Sequence, residues 1–401
     1  MQLVIKNARI LQADGTFLEG RIGIDEGRIA EIRYDENPPL CASVEQIDAE
    51  HNIISPGFID THVHGGMGFD FSYEKPGWEK MQERLAAHGV TSILATLSSR
   101  PPDETLTFID RMAIMAKESG KGPVEIAGFH MEGPYLNKKK NGIHVEEYIR
   151  RGDTDEVKRI LDRARGLVKL WTVAPDYEEN IAVTKMLAAA GISVAIAHTE
   201  ADYDTAMTAF SAGANRVTHT FNAMPPISHR YRGIVTAAWQ HGAYMELIAD
   251  GRHVSPTIAK MFVAASDPNK IILVSDNEEF SGLPDGHYIQ DGRGIIIADG
   301  QMKTEFGVLA GSLICVNEAA LNLTRWGFPA GTALKMATEN PARAIGIFGR
   351  KGSIAPGKDA DIVILNGQFD ALLTIKNGKI VYRSDLYRAS DQGRCFSINS
   401  Q

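Results

Sequence analysis

Cysteine is scarce in this 401-residue chain: there are three, Cys41, Cys315 and Cys395, far apart and without any C-x-x-C spacing. That excludes a zinc knuckle and a disulfide framework and fits a reducing compartment. Long apolar runs are missing too. No window approaches the roughly 18 apolar residues that a bilayer-spanning helix needs. The opening segment MQLVIKNARILQADG lacks the basic start, apolar core and small-residue cleavage site of a secretory signal. A cytoplasmic protein with no membrane partner is expected. Positive charge is also short: 42 Lys and Arg stand against 50 Asp and Glu, a formal net charge of −8. With the cations dispersed, a nucleic-acid surface built on counterion release is excluded. The one basic cluster, NKKKN around Lys138 to Lys140, reads as a solvated loop.

What is present is ordinary for a folded globular protein, 44% hydrophobic and 23% charged residues. The length exceeds the roughly 250 residues of a single α/β barrel, which leaves room for a smaller module. Both chain ends alternate apolar and polar residues: LVIKNARIL and GRIGIDEGRIAEIR at the start, ADIVILNG and LLTIKNGKIVYR at the finish, with turn signals at Asp14-Gly15 and Glu26-Gly27. Isolated hairpins are marginal in water, so residues 1–54 and 355–401 are expected to combine into one small β-sandwich domain. Residues 55–354 are then the inserted larger domain.

Between the ends, short apolar runs alternate with helix-like stretches, the arrangement of a parallel sheet. The runs are GFIDTHVHG, TSILATLS, EIAGFHMEG, LVKLWTVAP, ISVAIAHTE, NRVTHTFN, YMELIADG and KIILVSDN. Segments such as WEKMQERLAAHG, DTDEVKRILDRARG and EENIAVTKMLAAAG carry helical spacing and end in glycine. Eight runs predict a closed (β/α)8 TIM-like barrel in preference to an open doubly wound sheet.

A barrel places its chemistry at the C-terminal ends of its strands. His62 and His64 end the first run, Glu132 the third, His198 the fifth, His219 the sixth, Asp250 and His253 the seventh, and Asp276 the eighth. A lone strand histidine is usually structural. Together, imidazoles and carboxylates at one mouth form the ligand set of a catalytic divalent metal: zinc foremost, with iron, manganese or cobalt as alternatives. His62 and His64 share a face of an extended strand. The glycines after them are expected to let the loop pass close to a ligand. His51, His88, His241 and His287 read as structural, and His130 is unassigned. His144 and His229 fall in loops where substrate contacts belong.

The segments SPGFIDTHVHG, GFHMEGPYLN, IAHTEA, THTFNAMPP, ADGRHV, LVSDN, LAGS, ATENPAR and GSIAPGKDADIVIL resemble the amidohydrolase superfamily and, within it, the N-acetylglucosamine-6-phosphate deacetylase family. The resemblance covers nearly the whole chain. It implies a metal held by Glu132, His198 and His219, an optional second metal at His62 and His64, and Asp276 as general base and then general acid. It also implies contacts from His144 to sugar hydroxyls or carbonyl, and phosphate contacts from Asn222, the Ala223 backbone and His253. Arg230 would reach across a homodimer interface. No lysine ends the fourth run, so Glu132 takes the place of the bridging lysine of other superfamily members. The implied reaction hydrolyses the acetamide of N-acetylglucosamine 6-phosphate, with the galacto epimer or another N-acyl amino sugar as the alternative.

Some positions depart from the family pattern. Asn277, Glu278 and Glu279 follow Asp276 where a small apolar residue is usual, and Arg232 and Arg252 are also unusual. These raise the question of which amino sugar is bound and whether its phosphate is required. A dihydropyrimidinase-like or amino-acid deacylase would need a lysine ending the fourth run and leaves FNAMP unexplained. A non-catalytic scaffold would have no use for Asp276.

Overall fold

The computed structural model describes residues 1–34, 44–73 and 76–387. Cys41 and Cys395 lie outside the described residues, and Cys315 is a free, buried thiol. The two ends of the chain share a sheet. The first end contributes Leu3–Leu11 (β1), Phe17–Asp25 (β2), Arg28–Arg33 (β3), Glu45–Asp48 (β4) and Ile53–Pro56 (β5). Strands β6 to β16 belong to the segment between, and the last end adds Ile362–Leu365 (β17), Ala371–Lys376 (β18) and Lys379–Arg383 (β19). Their order is β19-β18-β17-β5-β1-β2-β3, with β4 on β1. At the Glu26-Gly27 turn both residues have positive φ, 47° and 76°, the backbone that lets two strands reverse without splaying. Side chains alternate between two cores. Ile362 and Ile364 pack with Ile5, Ile10 and Ile22, whereas Val363 and Leu365 face the larger domain and join its core.

Each apolar run of the middle segment supplies one barrel strand. These are Phe58–Val63 (β6), Val90–Leu97 (β7), Glu125–Glu132 (β8), Val168–Val173 (β9), Ser193–Ile196 (β10), Arg216–Val217 (β11), Tyr244–Leu247 (β12) and Ile271–Leu273 (β13). They pair in sequence order, every pair parallel. The last strand returns to the first where Asp276 N donates to His62 O at 2.9 Å and Asn277 bridges to Val63. Helices lie between the strands, among them Trp78–Ala87 (α1), Pro102–Ser119 (α2), Thr154–Ala164 (α3) and Glu178–Ala189 (α4). The start of α3 follows from Asp153, whose carboxylate accepts from the N–H groups of Asp155 and Glu156. Its end comes one residue earlier than the glycine signal: Arg165 already takes φ 47°, ahead of Gly166 at 83°.

After β13 the chain inserts a three-stranded antiparallel sheet, Gly286–Gln290 (β14), Arg293–Ala298 (β15) and Gln301–Thr304 (β16). It is tied to the loop after β8 by Arg293 Nη1, which donates to Ile143 O at 2.6 Å. At the opposite end of the barrel Glu125, the first residue of β8, meets Arg350 at 2.5 Å, Lys351 at 3.1 Å and Lys376 at 3.3 Å. Lys376 belongs to β18, so this ion cluster joins the barrel to the end-built sheet. Among the described residues no helix is long and apolar enough to cross a membrane.

Candidate active site

The strand-end residues converge on Glu132. Its Oε1 lies 3.1 Å from His219 Nε2 and 3.4 Å from both His198 Nε2 and His62 Nε2. Its Oε2 lies 3.2 Å from His64 Nε2 and 3.3 Å from His144 Nε2. Asp276 Oδ1 stands 3.2 Å from His62 Nε2 and 3.6 Å from His64 Nε2. Five residues drawn from four strand ends thus share one small volume with Asp276.

Outer contacts decide which imidazole nitrogen points inward. His62 Nδ1 donates to Glu246 Oε2 at 3.0 Å, and His198 Nδ1 donates to the Lys140 carbonyl at 2.7 Å. Neither acceptor can donate, so in the neutral form of each ring Nε2 carries the lone pair. His144 is the reverse case. Its Nδ1 accepts from Ser99 N at 3.1 Å, which puts the ring proton on Nε2 and makes that nitrogen a donor.

A cation fits this set. The Nε2 atoms of His198 and His219 are 3.0 Å apart and those of His62 and His64 are 3.2 Å apart, so a proton or a shared cation lies between the facing nitrogens of each pair. Without a metal, protons fill that place. Despite burial, Asp276 and Glu132 raise His62 well above the ordinary imidazole value, and Glu278 and Glu132 raise His64 up to about 9. Groups of candidate ligand atoms include His62, His64 and Glu132, and separately His64, Asp276 and Glu278. A divalent ion held here would supply Lewis acidity.

Backbone strain concentrates at the same place. His198, His219, Phe221, Ala223 and Asp276 all take left-handed φ values, between 29° and 82°, which are costly for residues with a Cβ. The chain accepts them at the turns that aim these groups into the mouth. A cavity of about 420 Å³ opens over the site, lined in part by His144, Asn222, Ala223, His253, Asp276 and Glu278. That is the size of a small-ligand pocket. His253 is held by Asp250, whose Oδ2 accepts from its Nδ1 at 2.7 Å, so Asp250 orients a pocket residue and does not join the Glu132 cluster.

Several expectations change in detail. Lys138 and Lys139 are exposed, as a solvated loop should be, and Lys139 and Lys140 in addition line the pocket rim, Lys139 pairing with Glu200 at 3.0 Å. The glycines after His64 serve a tight chain reversal: Gly65 and Gly66 pair with Asp70 and Phe69, and a Cβ on Gly65 would stand 2.1 Å from Phe69 O. Arg230 and His229 sit together on an exposed loop, 3.1 Å apart, and neither lines the cavity. Lys169 lines a groove away from the site, beside Ser193 and Arg343. His130 binds Thr172 at 2.8 Å and packs edge-on against His62, with burial and the His62 charge holding it well below its ordinary value.

Of the five unusual residues, Glu278 alone reaches the cavity. Asn277 ties Arg84, Ser312 and Ile314 together, Glu279 accepts from Gly68 N through its carbonyl, Arg232 lies over the Tyr203 ring and Arg252 reaches Asp299 O. Burial pushes the Glu278 carboxyl up to about 8, against the pull of His64. Two further residues were not foreseen from the sequence. Glu246 in β12 is completely buried, and its Oε1 pairs at 2.7 Å with Arg216 of β11, also fully buried. The signal for them was a charge inside each apolar run, YMELIADG and NRVTHTFN.

Comparisons with known proteins agree with this picture. The family model described as "Amidohydrolase family" matches residues 53–381. The chain is 34% identical to the N-acetylglucosamine-6-phosphate deacetylase of Bacillus subtilis (strain 168), over 95% of this chain and 98% of that protein. It is 31% identical to the N-acetylgalactosamine-6-phosphate deacetylase of Escherichia coli O157:H7, over 91% and 96% respectively. Among solved structures, a mutant N-acetyl-D-glucosamine-6-phosphate deacetylase from Mycobacterium smegmatis in complex with N-acetyl-D-glucosamine-6-phosphate superposes with a TM-score of 0.86 at 28% identity, covering 94% of this chain and 99% of that one.

Proposed function

The chain belongs to the amidohydrolase family, and from that premise we propose that it hydrolyses the acetamide of N-acetylglucosamine 6-phosphate to glucosamine 6-phosphate and acetate. The observation that carries this reading is Glu132 ringed by imidazole Nε2 atoms, with Asp276 beside them, under a sugar-sized cavity lined by Asn222, Ala223 and His253. The native metal, the homodimer and the cytoplasmic setting are parts of the same proposal.

Glu132, His198 and His219 hold the metal in this reading, and His62 and His64 are available for a second. When bound, the metal supplies a Lewis acid that activates water and polarises the amide carbonyl. Asp276 takes the proton that the attacking water loses as its oxygen bonds to the acyl carbon. It then gives that proton to the nitrogen as the C–N bond breaks, so the amine does not leave as an amide anion. His144, its proton fixed on Nε2 by Ser99, donates to the carbonyl oxygen as negative charge develops there. Asn222, the Ala223 backbone and His253 hold the phosphate, with Arg230 from a second copy of the chain adding a bidentate contact.

A second reading, the galacto epimer, has support in the 31% identity to the E. coli enzyme named for that substrate. Acetate release from the two epimers and from unphosphorylated N-acetylglucosamine separates the possibilities. A higher kcat/KM for the gluco 6-phosphate supports the first reading. A clearly higher value for the galacto epimer replaces it with the second, and no turnover of any of them by metal-replete protein removes both.

A further inference from the structure

Glu278 has no counterpart among the ligands that the family resemblance implies, yet its side chain is 5% exposed and its carboxylate turns toward the centre of the site. One oxygen, Oε2, is 3.4 Å from Gln290 Nε2, and the same amide is 3.4 Å from Asp70 Oδ2. The other, Oε1, lies 3.8 Å from His64 Nε2. That nitrogen is already 3.2 Å from Glu132 Oε2 and 3.2 Å from His62 Nε2. Ligand atoms of His64, Asp276 and Glu278 all fall within 4.8 Å of one another.

The surroundings make room for this carboxylate. Gly311 approaches with φ +76°, and a Cβ there would stand 2.7 Å from Glu278 Cγ and 2.5 Å from Asp276 O. Any other residue at 311 would press on the Glu278 stem and on the main-chain carbonyl of Asp276. The acids also gather on one ring. Glu246 has Arg216 as its partner, whereas Glu132, Asp276 and Glu278 lie 3.2, 3.6 and 3.8 Å from His64 Nε2.

Resting on the reading of the site as a metal centre, we propose that Glu278 is a ligand of a second divalent cation, held with His62, His64, Glu132 Oε2 and Asp276, and that it controls how firmly that second position is filled. Glu132 faces both parts of the site, Oε1 toward His198, His219 and His62, Oε2 toward His64 and His144. Adding a carboxylate shifts that position toward cations that favour oxygen, manganese in particular. Gln290 holds the carboxylate in place, as hydrogen bonds to ligating carboxylates do.

The test is titration of chelator-stripped protein with Mn²⁺ by calorimetry, for the wild type, Glu278→Gln and Glu278→Ala. Thermal midpoints are read with and without Mn²⁺. The proposal expects two ions per wild-type chain. Both variants then keep the first ion at wild-type affinity and lose the second by about tenfold or more. Their metal-free midpoints stay near that of the wild type, and only the increment given by the second ion shrinks. Equal second-ion affinity in all three proteins overturns the role of Glu278, and so does a wild type that takes up one ion only. A loss of midpoint equal with and without metal assigns Glu278 to folding and also overturns it. Acetate release by the one-ion protein would meanwhile leave the proposed deacetylase reading standing.

Discussion

Glu246 Oε2 lies 3.0 Å from His62 Nδ1, and the same oxygen accepts from the backbone N–H of His219 at 3.0 Å. One buried carboxylate therefore fixes the ring of one candidate ligand and the main chain of another. Its second oxygen balances Arg216. Replacing Glu246 by Leu strands the arginine charge in a dry interior, a loss of about 3–5 kcal/mol, and Glu246→Gln keeps the shape while weakening metal retention by about 10- to 100-fold. Chemical denaturation and metal titration of the two variants check the two halves. A Glu246→Leu protein as stable as the wild type would contradict the first.

Asp276→Asn keeps an oxygen near His62 and His64 but cannot accept a proton. The metal on Glu132, His198 and His219 is expected to stay bound, and turnover to fall by about 10²- to 10⁴-fold. Near-normal kcat in this variant would take Asp276 out of the proton path.

The other end of the barrel contributes to stability in acid. Burial alone would raise Glu125, but hydrogen bonds from Arg350 and the charges of Lys351 and Lys376 outweigh it and hold the carboxyl well below its ordinary 4.5. The cations do not respond alike, since Lys351 is raised while burial lowers Lys376, so the carboxylate is the partner to follow. A depressed carboxyl contributes stability that is fully present above the unfolded value and is lost as pH falls through the folded one. Unfolding free energy should thus decline below about pH 4.5 in the wild type and decline less steeply in Glu125→Gln. Parallel pH profiles for the two proteins would count against this cluster.

If Arg230 serves the site of a second copy, two inactive variants should rescue each other. A dimer of one Asp276→Asn chain and one Arg230→Ala chain has one site with both groups intact. Random reassortment then restores about a quarter of wild-type sites. Mixing the two proteins after dissociation and measuring acetate release checks this. Activity no higher than the parents' average would mean that Arg230 acts in its own chain or not at all.

The barrel was legible because each strand is a short apolar run closed by a polar or glycine-rich turn, and six of the eight runs end at a histidine, aspartate or glutamate such as His198 or Asp276. The end-built sheet was legible from period-two alternation, which the structure explains by two cores, one behind Ile362 and one behind Val363. Glu246 and Arg216 were not legible as a pair, since a charge within a strand has no periodic signature and its partner is on the neighbouring strand. The Ser99 and Lys140 contacts are made by the main chain and leave no trace in residue type. The unusual residues Asn277, Glu279, Arg232 and Arg252 looked like pocket changes because sequence gives their neighbourhood and not their direction.

The most direct measurement is acetate release from N-acetylglucosamine 6-phosphate by chelator-stripped protein as divalent metal is added back, with acetate, glucosamine 6-phosphate and bound metal quantified on the same sample. The account predicts no release from stripped protein, recovery as metal binds, and acetate and amine in equal amounts. Release that persists without metal, or none from fully loaded protein, would contradict it.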